Sequence, residues 1–446
     1  RSESALAQWR GLCQGRDVNA LMTAGQLINW GMPTLAAEML NALDCQRTLP
    51  LYLQASLLPK AERGELVAKA IDVFPQFVRF PNTLEEVAAL ESIEECWFAR
   101  HLLACFYYNK RSYNKAIAFW QRCVEMSPEF ADGWRGLAIH AWNKQHDYEL
   151  AARYLDNAYQ LAPQDARLLF ERDLLDKLSG ATPEKRLARL ENNLEIALKR
   201  DDMTAELLNL WHLTGQADKA ADILATRKFH PWEGGEGKVT SQFILNQLLR
   251  AWQHLDARQP QQACELLHAA LHYPENLSEG RLPGQTDNDI WFWQAICANA
   301  QGDETEATRC LRLAATGDRT INIHSYYNDQ PVDYLFWQGM ALRLLGEQQT
   351  AQQLFSEMKQ WAQEMAKTSI EADFFAVSQP DLLSLYGDLQ QQHKEKCLMV
   401  AMLASAGLGE VAQYESARAE LTAINPAWPK AALFTTVMPF IFNRVH

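Results

Sequence analysis

The sequence predicts an all-α fold, a tetratricopeptide-repeat-like α-solenoid wound as a right-handed superhelix of roughly ten helical hairpins. Two observations carry this reading. The first is a pair of consecutive repeat units over residues 100–163. With Pro128 at the last marked position of a 34-residue unit, Leu103, Ala104, Tyr107, Ala116, Trp120 and Cys123 fall where that repeat takes a large residue, a small one, an aromatic, Ala, an aromatic and a small one. Trp134, Leu137, Ala138, Ala151, Leu155, Ala158 and Pro163 repeat the pattern. Pro128 and Pro163 are 35 residues apart, which puts one extra residue in the 144–148 turn. The second observation is a recurrent punctuation, Gly closing the first helix of a pair with Ala five residues later in the second. It occurs as Gly31…Ala36, Gly215…Ala220, Gly302…Ala307, Gly346…Ala351 and Gly407…Ala412. Gly accepts the left-handed conformation that ends a helix, and Ala admits close helix approach.

Composition narrows the function classes. The chain has 446 residues, 48% hydrophobic, with a net charge of −13. That charge argues against a nucleic-acid backbone or an anionic membrane as partner. No apolar run approaches the roughly 20 residues of a membrane span. Nine cysteines without a Cys-x-x-Cys pair read as buried thiols in a reducing, cytoplasmic setting, with no metal site and no cofactor implied. The chain opens at Arg1 rather than Met, so an upstream segment is expected.

In chain order, residues 1–94 read as irregular helical repeats, cut by Pro50, Pro59, Pro75 and Pro81, with Thr83 as a helix N-cap. Residues 95–226 hold the regular repeats, and Pro183 opens a helix at its first turn. Residues 227–446 continue as helix pairs within one solenoid, but four connections lengthen: 227–239, 274–289, 317–331 and 369–379. All four join the second helix of one pair to the first helix of the next, so they should lie side by side along one edge.

Those loops carry the candidate site residues, namely His230, Trp232, Glu233, Glu236, Lys238, Asp287, Asp289, His324, Tyr326 and Tyr327. Phe229–Val239 is the most unusual run, with an indole, an imidazole, two carboxylates and three glycines. Trp232 there is either an exposed plate for a sugar or peptide, or a plug between repeats. Gly234–Lys238 is no phosphate loop, because the glycine spacing is wrong and Val239 stands where a hydroxyl should hold magnesium. Glu233 with Glu236, and Asp287 with Asp289, offer carboxylate pairs for acid–base work, with solvated loop acids as the plainer reading. Cys264, His268 and His272 share a helix face, yet Ala269 replaces the Glu of the metalloprotease motif. In the regular repeats the inner face should present Phe98, His101, Cys105, Tyr108, Asp132, Arg135, Ile139 and Trp142. It lacks the Lys and Asn spacing that clamps a C-terminal carboxylate.

The run Phe229–Val239, with Phe374–Leu383, resembles the C-terminal region of a family of large bacterial proteins. In that family, tetratricopeptide repeats follow a β-sandwich part that looks like sugar-mutarotase domains and has no assigned function. The resemblance implies a carbohydrate setting and an N-terminal β-sandwich half, and it assigns no catalytic residue. The expected function is a protein-interaction scaffold, docking a partner protein or its own β-sandwich domain through the loop edge. The alternative is part of a carbohydrate-active enzyme whose site the four loops complete, with a carbohydrate as ligand.

Overall fold

A helical hairpin buries only one face by itself, so its stability depends on what covers the other. The computed structural model describes residues 3–14, 16–43, 45–73, 79–282, 284–322, 330–371 and 383–444. Among them are twenty-four α-helices, short 3-10 and π segments and no strand, arranged as a tetratricopeptide-like succession of helix pairs. The chain divides into two compact units.

The first unit runs to Arg172 and includes the stretch 383–386. Its helices are α1 (Glu3–Cys13), α2 (Asp17–Asn29), α3 (Pro33–Asn41), α4 (Thr48–Ser56), α5 (Gly64–Asp72), α6 (Leu84–Glu91), α7 (Trp97–Asn109), α8 (Tyr113–Met126), α9 (Ala131–His140), α10 (Tyr148–Leu161) and the start of α11 (Ala166–Leu178). Thr83 caps α6 in a capping box, accepting from the Glu86 N–H while Glu86 accepts from the Thr83 N–H. Leu103, Ala104, Ala116, Trp120, Cys123, Leu137, Ala138, Ala151, Leu155 and Ala158 are all buried, as the repeat pattern requires.

The extra residue of the second repeat is not absorbed in the loop. It widens the end of α9 into a π turn, Ala141–Gln145, which closes at His146 with φ 55°. Arg111 holds the equivalent left-handed place in the preceding hairpin, with φ 59°.

The second unit takes the rest of the described chain. After α12 (Pro183–Glu191) and α13 (Leu194–Ala197) come pairs α14 (Asp201–Leu213) with α15 (Ala217–Thr226), α16 (Lys238–Asp256) with α17 (Pro260–Ala270), and α18 (Asn288–Ala300) with α19 (Glu304–Ala314). Then follow α20 (Tyr334–Leu344) with α21 (Gln348–Met365), α22 (Leu389–Leu408) with α23 (Val411–Ile424), and a last helix, α24 (Ala431–Arg444). Thr182 caps α12 and Pro183 occupies its first turn.

Gly31, Gly215, Gly302 and Gly346 close their helices with φ between 75° and 87°, and Ala36, Ala220, Ala307 and Ala351 are buried. The fifth copy of that pattern is a coincidence of spacing. Gly407 lies buried inside α22, the helix closes at Gly409 (φ 77°), and Ala412 is exposed while Tyr414 fills the packed position. Gly407 serves packing instead. A Cβ there, or at Gly339 of α20, would overlap the Phe355 ring of α21, and one at Gly136 of α9 would overlap the Trp120 indole of α8.

In the second unit the last helix covers a face shared by several pairs. Trp252 of α16 and Trp293 of α18 meet Phe440 at 5.3 and 5.9 Å between centroids, and Trp337 of α20 stacks on Phe434 at 5.7 Å. Lys430, just before α24, binds Asp289 at 2.9 Å and Asp333 at 2.6 Å.

The ring-on-glycine contacts set a packing test. Gly136→Ala should destabilise the first unit by about 1–3 kcal/mol through overpacking against Trp120. The measurement is a lower urea midpoint, with loss of the near-ultraviolet tryptophan signal.

Candidate functional site

Of the predicted loops, 227–239, 274–289 and the described parts of 317–331 belong to the second unit, where adjacent loops are tied together, while most of 369–379 lies outside the described residues. The Phe229 N–H donates to the Asn276 carbonyl at 2.8 Å, and the Ser278 hydroxyl donates to the Phe229 carbonyl at 2.7 Å. Asn276 Nδ2 donates to the carbonyls of Leu224 and Arg227, and the Gly237 N–H donates to Glu279 Oε2 at 2.7 Å. Burial pushes the Glu279 carboxyl upward, with the Gly237 N–H opposing and the nearby Glu236 charge adding. Thr286 reaches Gln330 of the third connection at 3.4 Å.

Within this edge, His230 is exposed and pairs through its N–H and Nδ1 with Asp201, which also binds Arg227. Trp232 is half-buried and folded over Gly235, whose missing Cβ leaves the room the indole takes. Glu233, Glu236 and Lys238 are exposed. Asp287 and Asp289 lie apart from them, buried at the start of α18. Asp287 pairs with Arg281, and burial raises its carboxyl against that pairing. Asp289 is held by Lys430, so this pair is committed to structural ion pairs. His324, Tyr326 and Tyr327 lie outside the described residues. His268 and His272 are exposed at 5.1 Å between ring centroids. Cys264 receives a hydrogen bond from Gln301 instead of facing a ligand. No three donors of the metal-ligating types come together among the described residues.

The inner face of the regular repeats is a second surface, and it is covered. Phe98, His101, Cys105, Tyr108 and Ile139 are all buried. At Arg135, Trp142 and Asn143 the face meets an irregular, non-helical stretch of the same unit, Leu383-Ser384-Leu385-Tyr386. Arg135 Nη2 donates to the Leu383 carbonyl at 2.7 Å, and Asn143 Nδ2 to the Ser384 carbonyl at 2.8 Å. Trp142 Nε1 donates to the Tyr386 carbonyl at 2.8 Å. The Tyr386 N–H in turn donates to Asn143 Oδ1 at 3.0 Å, so the Asn143 amide grips the main chain by both ends. Leu385 is buried.

The gripping side chains are positioned from within the repeats. Glu171 binds Arg135 through both carboxylate oxygens, with Nε at 2.9 and 2.7 Å and Nη2 at 2.5 Å. Asn143 Nδ2 also lies 3.3 Å from the Tyr108 hydroxyl. The π turn at Ala141–Gln145 brings Trp142 and Asn143 to the same stretch of main chain. Arg135 and Trp142 were legible as inner-face residues from repeat spacing. Asn143 was not, because the one-residue insertion shifts it out of register, and the 35-residue proline interval was the only signal.

No family model matches the chain. Among solved structures it is similar to Naa15/Naa10 bound to HypK-THB, at 11% identity and a TM-score of 0.35, covering 87% of this chain and 61% of that one. The chain therefore spans 61% of that neighbour's length. It is also similar to the P58(IPK) TPR domain, at 16% identity and a TM-score of 0.26, covering 77% of this chain and 94% of that one.

Burial holds His101, on the covered inner face, at about 4 against its ordinary value of 6.5. A depressed histidine is neutral in the fold and takes a proton on unfolding, so its contribution to stability is present above pH 6.5 and lost as pH falls toward 4. The expected loss is about 3 kcal/mol, read from urea midpoints between pH 7.5 and 4.5. His101→Gln should make that profile shallower, leaving the share of His212, which burial also holds at about 4.

Proposed function

We propose that this protein is an interaction scaffold that holds an extended polypeptide segment in the groove of its regular repeats. One observation supports the reading most directly: Arg135, Trp142 and Asn143 satisfy three carbonyls and one N–H of a non-helical main chain. Main-chain recognition of this kind accepts many sequences, with side-chain pockets adding selectivity. Donors pre-set by Glu171 and Tyr108 lose little freedom on binding, which favours affinity.

The loop edge is a second docking surface in this proposal. What supports it is the hydrogen bonding of residues 229–237 to 276–279, which fixes one connection against the next. The body it would take is the β-sandwich half implied by the family resemblance, in a bacterial, carbohydrate-associated protein. Exposed His230, Glu233, Glu236 and Lys238 give that edge its mixed charge.

The test is a peptide-array screen of the purified chain beside an Arg135→Ala/Asn143→Ala variant and a Trp232→Ala variant. The groove variant should lose at least tenfold in binding of extended peptides, about 1.4 kcal/mol or more, and Trp232→Ala should leave it unchanged. Binding that survives the groove change and disappears with Trp232→Ala would move the partner site to the loop edge.

A further inference from the structure

We infer that residues 383–386 are an in-chain occupant of the groove, displaceable by a partner segment of the same chemistry: an extended peptide with an aliphatic residue at the position of Leu385. This inference rests on the peptide-groove reading above and adds to it the partner's anchor and the way the site is kept closed.

Four observations lead here. The bonds to the stretch go to main-chain atoms, which every extended peptide offers equally. The one buried side chain of the stretch is Leu385, while Leu383, Ser384 and Tyr386 stay half-buried. Selectivity in trans therefore falls on the one position where an aliphatic side chain is buried. Next, the groove does not need the occupant for its own order, since Glu171 holds Arg135 through a bidentate pair and Tyr108 lies beside Asn143. Finally, the insertion that makes the π turn departs from regular repeat packing, and such single-turn insertions recur at functional sites. It places Trp142 and Asn143 at the main chain of the occupant.

The occupant is joined to the rest of the chain, so it competes at a high effective concentration, and a free peptide meets only the fraction of molecules whose groove is open. Weakening the occupant should then raise the affinity for a peptide in trans without any change in the groove.

The experiment is fluorescence anisotropy of a labelled peptide spanning residues 380–389, titrated with the full chain. Compared are the unaltered chain, a Leu385→Ala/Tyr386→Pro variant, and that variant with Asn143→Ala added. The Tyr386→Pro change removes the N–H that Asn143 accepts. The expected result is binding at least tenfold tighter in the occupant-weakened variant, lost again by tenfold or more with Asn143→Ala. A peptide with Ser in place of Leu385 should bind at least fivefold more weakly. Circular-dichroism melts verify folding, and single Leu385→Ala replaces the double variant if that one is unfolded. Equal affinity in the unaltered and occupant-weakened chains, with loss on Asn143→Ala, would overturn displacement while leaving the groove as a peptide site. Absence of binding in the folded, occupant-weakened chain would overturn the groove reading itself.

Discussion

The structure depends on an aromatic ring from one helix lying against a glycine of another. Trp120 of α8 rests on Gly136 of α9, and Phe355 of α21 sits between Gly339 of α20 and Gly407 of α22. At each place a hydrogen is all the space allows. The ring fills the volume that a hairpin leaves between successive first helices, so it sets their separation. Close packing makes that separation hard to change by even one methylene. Both units use the device.

Stacking leaves the inner face of the first helices uncovered, and each unit covers it with its own chain. In the first unit the short stretch 383–386 lies against Arg135, Trp142 and Asn143, held by main-chain hydrogen bonds. In the second it is α24, held by aromatic contacts to Trp252, Trp293 and Trp337 and by Lys430 between two buried carboxylates. Burial works against the Lys430 charge, but Asp289 and Asp333 outweigh it, so the ammonium is held more firmly than usual. The same network raises Asp333 through burial. A simple solenoid, in which each repeat touches only its neighbours, would not bring Phe440 to Trp252. The two covers differ in kind: a buried ion triad and packed rings are costly to open, whereas main-chain hydrogen bonds are exchangeable for those of another peptide.

The loop edge illustrates how composition can mislead about a side chain's role. Trp232 among glycines suggests a plate or a plug, and the indole folds over Gly235 into the space a Cβ would need. Asp287 and Asp289 look like solvated loop acids because Pro283 and Gly284 stand before them. They instead begin α18, buried, each with a basic partner distant or near in sequence: Lys430 for Asp289 and Arg281 for Asp287. Cysteine usage was easier to read. Eight of the nine thiols are buried and the ninth, Cys264, is partly so.

Repeat spacing determined the all-α hairpin architecture, the buried positions of the two regular units and the helix ends at Gly31, Gly215, Gly302 and Gly346, and residue type determined the cap at Thr83 and the first turn at Pro183. These are local matters, fixed by periodicity and backbone stereochemistry within some thirty-five residues, close to one repeat length. Spacing failed at Gly407 because a glycine chosen for close packing and one chosen for a left-handed cap look identical in sequence. Tertiary structure alone decided that residues 383–386 lie against Arg135, Trp142 and Asn143, and that α24 returns to α16, α18 and α20. Those pairings join residues 97 to 248 positions apart, and no local preference encodes a partner so remote.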